Sequence, residues 1–234
     1  MTDAINTYNE KSLHAALKAW YAGATGCVEV PVDGYIVDVV RGDLLIEIQT
    51  GNFSSIRDKL TALSEAHPVL LVYPIAQEKW LVKTPKPGSS KTKPSRRKSP
   101  KRGTAEEVFP ELVSFPALLA RPTFGVEIAF TQEEELRHYD KRRGWRTRGW
   151  VTDDRRLLDV VGTRRFATPA DFASLLPGDL PIQFTTADLA RATGRSRRFA
   201  QKMAYCLREM GLLVPLGHRR RAILYALAEN VAAT

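Results

Sequence analysis

The sequence predicts an α/β protein: a helix, three strands, a second helix and a fourth strand, then a basic segment, further mixed elements, and a C-terminal module of helices closed by a hairpin. Three observations carry this. Apolar residues recur at helical spacing over residues 13–21. Two β-branched runs, residues 35–40 and 44–49, flank the turn dipeptide Gly42-Asp43. The last fifth of the chain alternates helical patterns with a tight turn and a basic hairpin. With 234 residues the chain can bury a core in roughly one or two domains.

The first helix is announced by Thr7 and Glu10 at capping-box spacing, carries Leu13, Ala16, Leu17, Trp20 and Tyr21 on its core face, and stops at Gly23. Residues 27–32 read as a strand, and Asp33 as a turn residue before Gly34. If Gly42 and Asp43 form a two-residue loop, Arg41 pairs with Leu44 and Asp38 stands opposite Glu47. Period-two alternation then puts Gln49 on the same face, with Tyr35, Val37, Val39, Ile46 and Ile48 on the other. Two facing carboxylates with Cβ atoms roughly 5 Å apart repel, so a cation belongs between them, and a hard divalent ion such as Mg²⁺ suits oxygen donors. Ser54 or Ser55 is expected to cap a second helix with Ile56, Leu60 and Leu63 inward, closed by His67-Pro68. Residues 69–75 form a buried strand and residues 79–83 a further short one.

This order, with Asp38 in the second strand and Glu47, Ile48 and Gln49 in the third, resembles the PD-(D/E)XK nuclease superfamily over about residues 8–83. The resemblance implies a restriction-endonuclease-like core and Mg²⁺-dependent hydrolysis of DNA phosphodiesters, with Mn²⁺ as a substitute ion. It implies that Asp38, Glu47 and the Ile48 carbonyl hold the metal, which polarises a phosphodiester oxygen and supplies an activated water. Glu10 on the first helix completes the metal site in such proteins; its capping-box place is the plainer explanation. Gln49 stands where the family has Lys and would orient the water through its amide. Lys59, about one turn into the second helix, would supply the displaced positive charge, or is simply a solvated helix lysine. No proline precedes Asp38. His14, one turn beyond Glu10, reads as a helix-surface residue.

Residues 86–103 have no apolar residue beyond proline and read as a mobile linker or a phosphate-contacting arm. The implied organisation is a core over 1–85, this linker over 86–103, additional α+β elements over 104–165 and a last domain over 166–234. Thr104 and Glu107 open a helix interrupted by Pro110 and Pro116. Residues 123–130 read as a strand, and residues 131–134, Thr-Gln-Glu-Glu, as a capping box opening a charged helix to about Lys141. Residues 145–150 look like a strand paired through Asp153-Asp154 with residues 157–161; its two tryptophans and two arginines pack, or stack on bases.

At the end of the chain come a helix over 169–176, a short strand over 182–184, a helix over 186–191, a turn at Gly194, and a helix capped by Ser196 that runs to Met210. A hairpin of residues 212–216 and 222–226 follows. Over about residues 168–228 this resembles a winged helix-turn-helix domain with Leu189, Ala190, Phe199, Met203, Leu207 and Met210 as its core. The polar face of the third helix offers Arg197, Arg198, Gln201, Lys202, Tyr205 and Arg208, and the resemblance implies that its N-terminal residues enter the major groove, with Arg195 just before the helix also contacting DNA. Arg219, Arg220 and Arg221 would be the wing.

Charge is distributed to match. Of the net +9, residues 86–103 contribute +8 and residues 182–234 contribute +6, while the two remaining segments are acidic. That favours a nucleic-acid partner, duplex or branched DNA given the helix-turn-helix, with a homodimer by analogy to nucleases that cut both strands. A DNA-binding regulator on a degenerate nuclease scaffold is the other class of protein this pattern allows. Lone Cys27 and Cys206 encode neither a disulfide framework nor a zinc site and point to a reducing cytoplasm. No signal-like or membrane-length apolar run is present, so a membrane partner is not expected.

Overall fold

The structure, a computed structural model, describes residues 12–89 and 92–228. Turn chemistry starts the sheet. β1 (Cys27–Val32) and β2 (Tyr35–Arg41) are joined by Asp33 and Gly34, both with positive φ (47° and 81°), the conformation a two-residue hairpin demands. β2 and β3 (Leu44–Ile48) meet around Gly42 (φ 59°) in the expected register, Arg41 opposite Leu44, then Val40 opposite Leu45 and Val39 opposite Ile46. A crossover through α2 (Arg57–Ala66) returns the chain as β4 (Val69–Lys83), parallel to β3 with Glu47 beside Leu71. β6 (Phe124–Tyr139) lies parallel to β4, and β7 (Trp150–Phe166) antiparallel to β6. The mixed sheet runs β1-β2-β3-β4-β6-β7, with β5 (Ser95–Lys98) beside the outer end of β4.

Alternation sorts the core onto two faces. Leu70 and Val72 of β4 pack with α1 (Ser12–Ala22), through Leu13, Leu17 and Tyr21. Val69, Leu71 and Ile75 pack with Leu60 and Leu63 of α2 and with much of the following chain. Trp20, expected in the core, is 48% exposed, and the expected cap of this helix lies outside the described residues. Neither Ser54 nor Ser55 caps α2: their hydroxyls bond to Asn52, and a turn of 3₁₀ helix (Phe53–Ile56) leads into the helix.

Three local expectations give way to long strands, and a fourth to a short one. Residues 69–75 and 79–83 are one strand with a bulge between Ala76 and Glu78. The capping box at residues 131–134 opens no helix, because those residues continue β6. Thr131, Glu133 and Glu135 fall on alternate, buried positions, where Thr131 Oγ1 donates to Glu133 at 2.6 Å and Arg155 of β7 grips Glu133 through two bonds of 2.8 and 2.9 Å. Cross-strand ion pairing thus overrides local helix chemistry. Residues 150–166 form β7 rather than one arm of a hairpin turning at Asp153-Asp154, and residues 145–147 are a 3₁₀ turn. Within the basic segment, Ser95–Lys98 pairs with Trp80–Lys83, and its Arg96 and Lys98 meet Glu134 and Glu78 at 2.6 and 2.7 Å. Residues 105–120 are short turns of helix around α3 (Phe109–Leu112).

The C-terminal elements keep their expected order. α4 (Pro169–Ala173) starts from a Thr168/Asp171 capping box and α5 (Thr186–Thr193) from a Thr185/Asp188 one; Gly194, at φ 64°, closes α5. Ser196 caps α6 (Arg197–Glu209), accepting from the Phe199 amide. β8 (Leu213–Arg219) and β9 (Ala222–Leu227) turn on Arg220 and Arg221, and Phe184 bridges to Tyr225. Leu189, Met203, Leu207 and Met210 are buried as expected. They belong to the cluster that also holds Val37 and Leu71, because Phe109 of α3 sits against Phe172 and the Cys206 thiol points at the Phe109 carbonyl. No helix among the described residues is long and apolar enough to cross a membrane.

Candidate functional site

The β2–β3 hairpin stops pairing as a regular ladder beyond Val39 and Ile46, and side chains take over. Asp38 Oδ2 accepts from the Ile48 amide at 2.8 Å, and Glu47 Oε1 accepts from the Asp38 amide at 3.3 Å. Each carboxylate therefore holds the main chain of the opposite strand. Val37 packs in the α2 cluster and Val39 in the α1 cluster, so β2 turns over at Asp38 and does not keep both valines on one face, as strict alternation would. The two carboxylates remain neighbours but are served from opposite sides of the sheet.

From the α1 side comes His14. Its Nε2 lies 3.2 Å from Asp38 Oδ2 and 3.0 Å from the Ile48 carbonyl oxygen. Both are acceptors, so the hydrogen sits on Nε2 and is shared between them. The helix is pinned for this by Tyr21, whose hydroxyl donates to Glu127 at 2.7 Å, and by Ser12, whose amide donates to Asp154 at 3.2 Å. Expected on the helix surface, His14 instead joins the site; its spacing one turn after Glu10 was the available signal. From the α2 side comes Lys59, whose ammonium is 2.6 Å from Glu47 Oε1 and donates to the Ile36 carbonyl at 2.5 Å.

Burial and charge split the pair. Glu47 is 3% exposed; burial raises its pKa most, the Asp38 charge raises it further, and Lys59 offsets only part, leaving it at about 7. Burial also raises Asp38, but hydrogen bonding and charge from His14, the Ile48 amide and Lys59 outweigh it and hold this carboxyl below its usual range. Near neutrality one carboxylate is charged and its neighbour half-protonated.

Gln49 does not reach the carboxylates. Its amide nitrogen donates to the Asn52 carbonyl at 3.2 Å and to Ser55 Oγ at 3.3 Å, which ties down the turn after β3. Glu10 lies outside the described residues. Asp38, Glu47 and the Ile48 carbonyl are the hard oxygen donors that Mg²⁺ or Mn²⁺ takes, and they fit such an ion in kind. Among the described residues, no three His, Cys, Asp or Glu side chains converge as a metal site.

The C-terminal residues divide into two sets. Arg195 turns inward to Glu107 (3.4 Å) and Thr104 (2.8 Å), and Lys202 donates to the Pro110 carbonyl at 3.1 Å, so both join α5–α6 to the α3 region. Arg197, Gln201, Tyr205 and Arg208 face outward with Arg221 around a groove of about 240 Å³. Arg198 is exposed beside them. Arg220 is exposed at the tip of the hairpin, and Arg219 is anchored to Asp188 and the Gln183 carbonyl.

Fold and site together define an α/β protein whose paired carboxylates are countered from both faces of a mixed sheet. Within that class, residues 11–167 match the family described as Domain of unknown function (DUF8091), and the chain belongs to that family. An uncharacterized protein of Treponema pallidum (strain Nichols) is 31% identical over 223 residues, 94% of this chain and 86% of that protein. No solved structure matches the chain.

Proposed function

We propose that this protein is a Mg²⁺-dependent endonuclease that hydrolyses DNA phosphodiester bonds, with the β2–β3 hairpin as its reaction centre and a C-terminal winged helix-turn-helix as its DNA-binding module. The observation that carries the reading is Lys59 at 2.6 Å from Glu47. A lysine from α2 supplies the positive charge that Gln49 cannot, beside the two carboxylates a metal-dependent nuclease needs. Bound Mg²⁺ would supply Lewis-acid polarisation of the phosphodiester and an activated water. Asp38, Glu47 and the Ile48 carbonyl would hold it, Lys59 would neutralise charge developing on the phosphate, and His14 would orient the Asp38 carboxylate and the Ile48 carbonyl through its shared hydrogen. Phosphoryl transfer asks mainly for positioning and electrostatic stabilisation, which this set can provide.

The DNA-binding part rests on the order α5, tight turn, α6, hairpin, which resembles a winged helix-turn-helix. Arg197, Gln201 and Arg208 lie on one outward face of α6 with Arg221 beside them. Purified protein incubated with duplex, branched and single-stranded DNA plus Mg²⁺ or Mn²⁺ should cleave at least one of them. Asp38→Ala and Glu47→Ala should abolish cleavage, and Lys59→Ala should slow it at least about 100-fold. Cleavage undiminished in Asp38→Ala sinks the assignment. One observation favours a non-catalytic DNA-binding regulator: the Gln49 amide is spent on Asn52 and Ser55. Such a protein would bind DNA in EDTA and show no metal affinity that depends on Asp38 or Glu47.

A further inference from the structure

The long strands β4, β6 and β7 extend well past the carboxylate hairpin, and one charge pattern runs along them. A groove of about 400 Å³ begins at Thr50, the residue after Gln49, and is lined by Lys79, Lys101, Arg137 and Arg155 against two carboxylates, Glu107 and Glu135. Farther out, a row crosses the sheet through Ser95, Lys83, Arg137 and Thr152 in hydrogen-bonded register. There a second pocket of about 280 Å³ is lined by Lys83, Lys86, Lys93 and Trp150 and by no acidic residue. The Lys83 ammonium sits 4.3 Å from the Trp150 ring centroid, and Lys86 lies 4.4 Å from that of Tyr139. The rings hold these cations in place without neutralising them. Burial first, and then the charges of Arg97, Arg137 and Lys86, lower the Lys83 pKa, although Arg137 is itself paired with Glu135.

Such a cluster lowers its energy by taking up a polyanion. From Leu71, which pairs with Glu47, to Lys83 is about 40 Å of strand, the reach of about 12 phosphates along one nucleic-acid strand. We propose that the face running from Thr50 past Lys79 and Arg137 to the Lys83–Lys86–Trp150 pocket is a channel for the phosphodiester backbone of nucleic acid, flanking the carboxylate hairpin and separate from the C-terminal helices. This rests on the nucleic-acid reading of the hairpin for its direction alone. A membrane surface fits less well, because the cations line concave pockets along a strand rather than a convex face.

The test measures binding without catalysis. The full chain and the triple variant Lys83→Gln/Lys86→Gln/Lys93→Gln are titrated in EDTA, over a range of salt, onto a labelled single strand and a duplex of about 40 nucleotides. A control triple removes equal charge at Arg57, Arg156 and Arg165. The channel triple should bind at least about 10-fold more weakly, and its log–log salt slope should flatten by about 2 on single strand or about 2.7 on duplex; the control should change little. Whichever substrate shows the larger loss identifies the occupant. If the triple fails to fold, Lys86→Glu, an exposed residue beyond β4, should give a loss of the same sign. Affinity and slope unchanged in folded variants overturn the channel, as does loss on acidic phospholipid vesicles in a protein that binds no nucleic acid. The cleavage assay with Asp38→Ala is read separately, so a failed channel leaves the nuclease reading standing and an uncleaved substrate leaves the channel standing.

Discussion

Glu47 has an ammonium 2.6 Å away and still keeps its proton to about pH 7, because burial and the Asp38 charge together outweigh Lys59. In the unfolded chain the same group titrates at its ordinary 4.5. The folded state therefore holds a proton that the unfolded state has released, and the stability this contributes is complete below about 4.5 and lost as pH rises through about 7. Metal-free wild type should lose on the order of 3 kcal/mol across that window. Glu47→Gln, neutral throughout, should lose much less, as read by urea unfolding in EDTA. Parallel pH profiles for the two proteins would show that burial does not govern this carboxyl. Asp38 and Glu47 were legible in the sequence because Gly42-Asp43 sets the hairpin register. His14 was not, since helical spacing says which residues share a face but not which strand end that face meets.

At the scale of elements, β6 is where local and tertiary signals part. Thr131 and Glu134 have capping-box spacing, yet Thr131, Glu133 and Glu135 alternate into a polar layer matched by Arg155, Lys79 and Arg137. Glu133 is fully buried and Arg155 is its bidentate partner. Arg155→Ala should destabilise by about 3–5 kcal/mol because a buried carboxylate is left unpaired, while Arg155→Ala with Glu133→Leu should recover most of that loss. Chemical denaturation of the two variants checks it; equal losses would mean the ion pair is not what holds β6 to β7. Short-range propensity fails here because the partner lies 22 residues away on β7. The end of α5 and the start of α6 were legible for the opposite reason: Gly194 and Ser196, which close and open them, lie beside the segments they terminate.

Across the whole molecule, one buried cluster runs from Val37 and Leu71 in the sheet through Phe109 to Met203 and Leu207 of α6. Arg195 and Lys202, which composition alone assigns to a polyanion, are among the groups that make this joint. A core shared in this way should unfold in a single calorimetric transition, with amides of α6 and β4 exchanging at comparable free energies. Two separated transitions would show that the C-terminal elements fold on their own. The sequence by itself determined the hairpin register, the order of the C-terminal elements and the sites of concentrated charge, since each depends on residues a few positions apart. Only the tertiary structure decided that residues 69–83, 124–139 and 150–166 are long paired strands and that His14 and Lys59 meet the carboxylates from opposite faces. Those outcomes depend on which distant charge or apolar surface a segment is packed against, and that is a property of the assembled sheet.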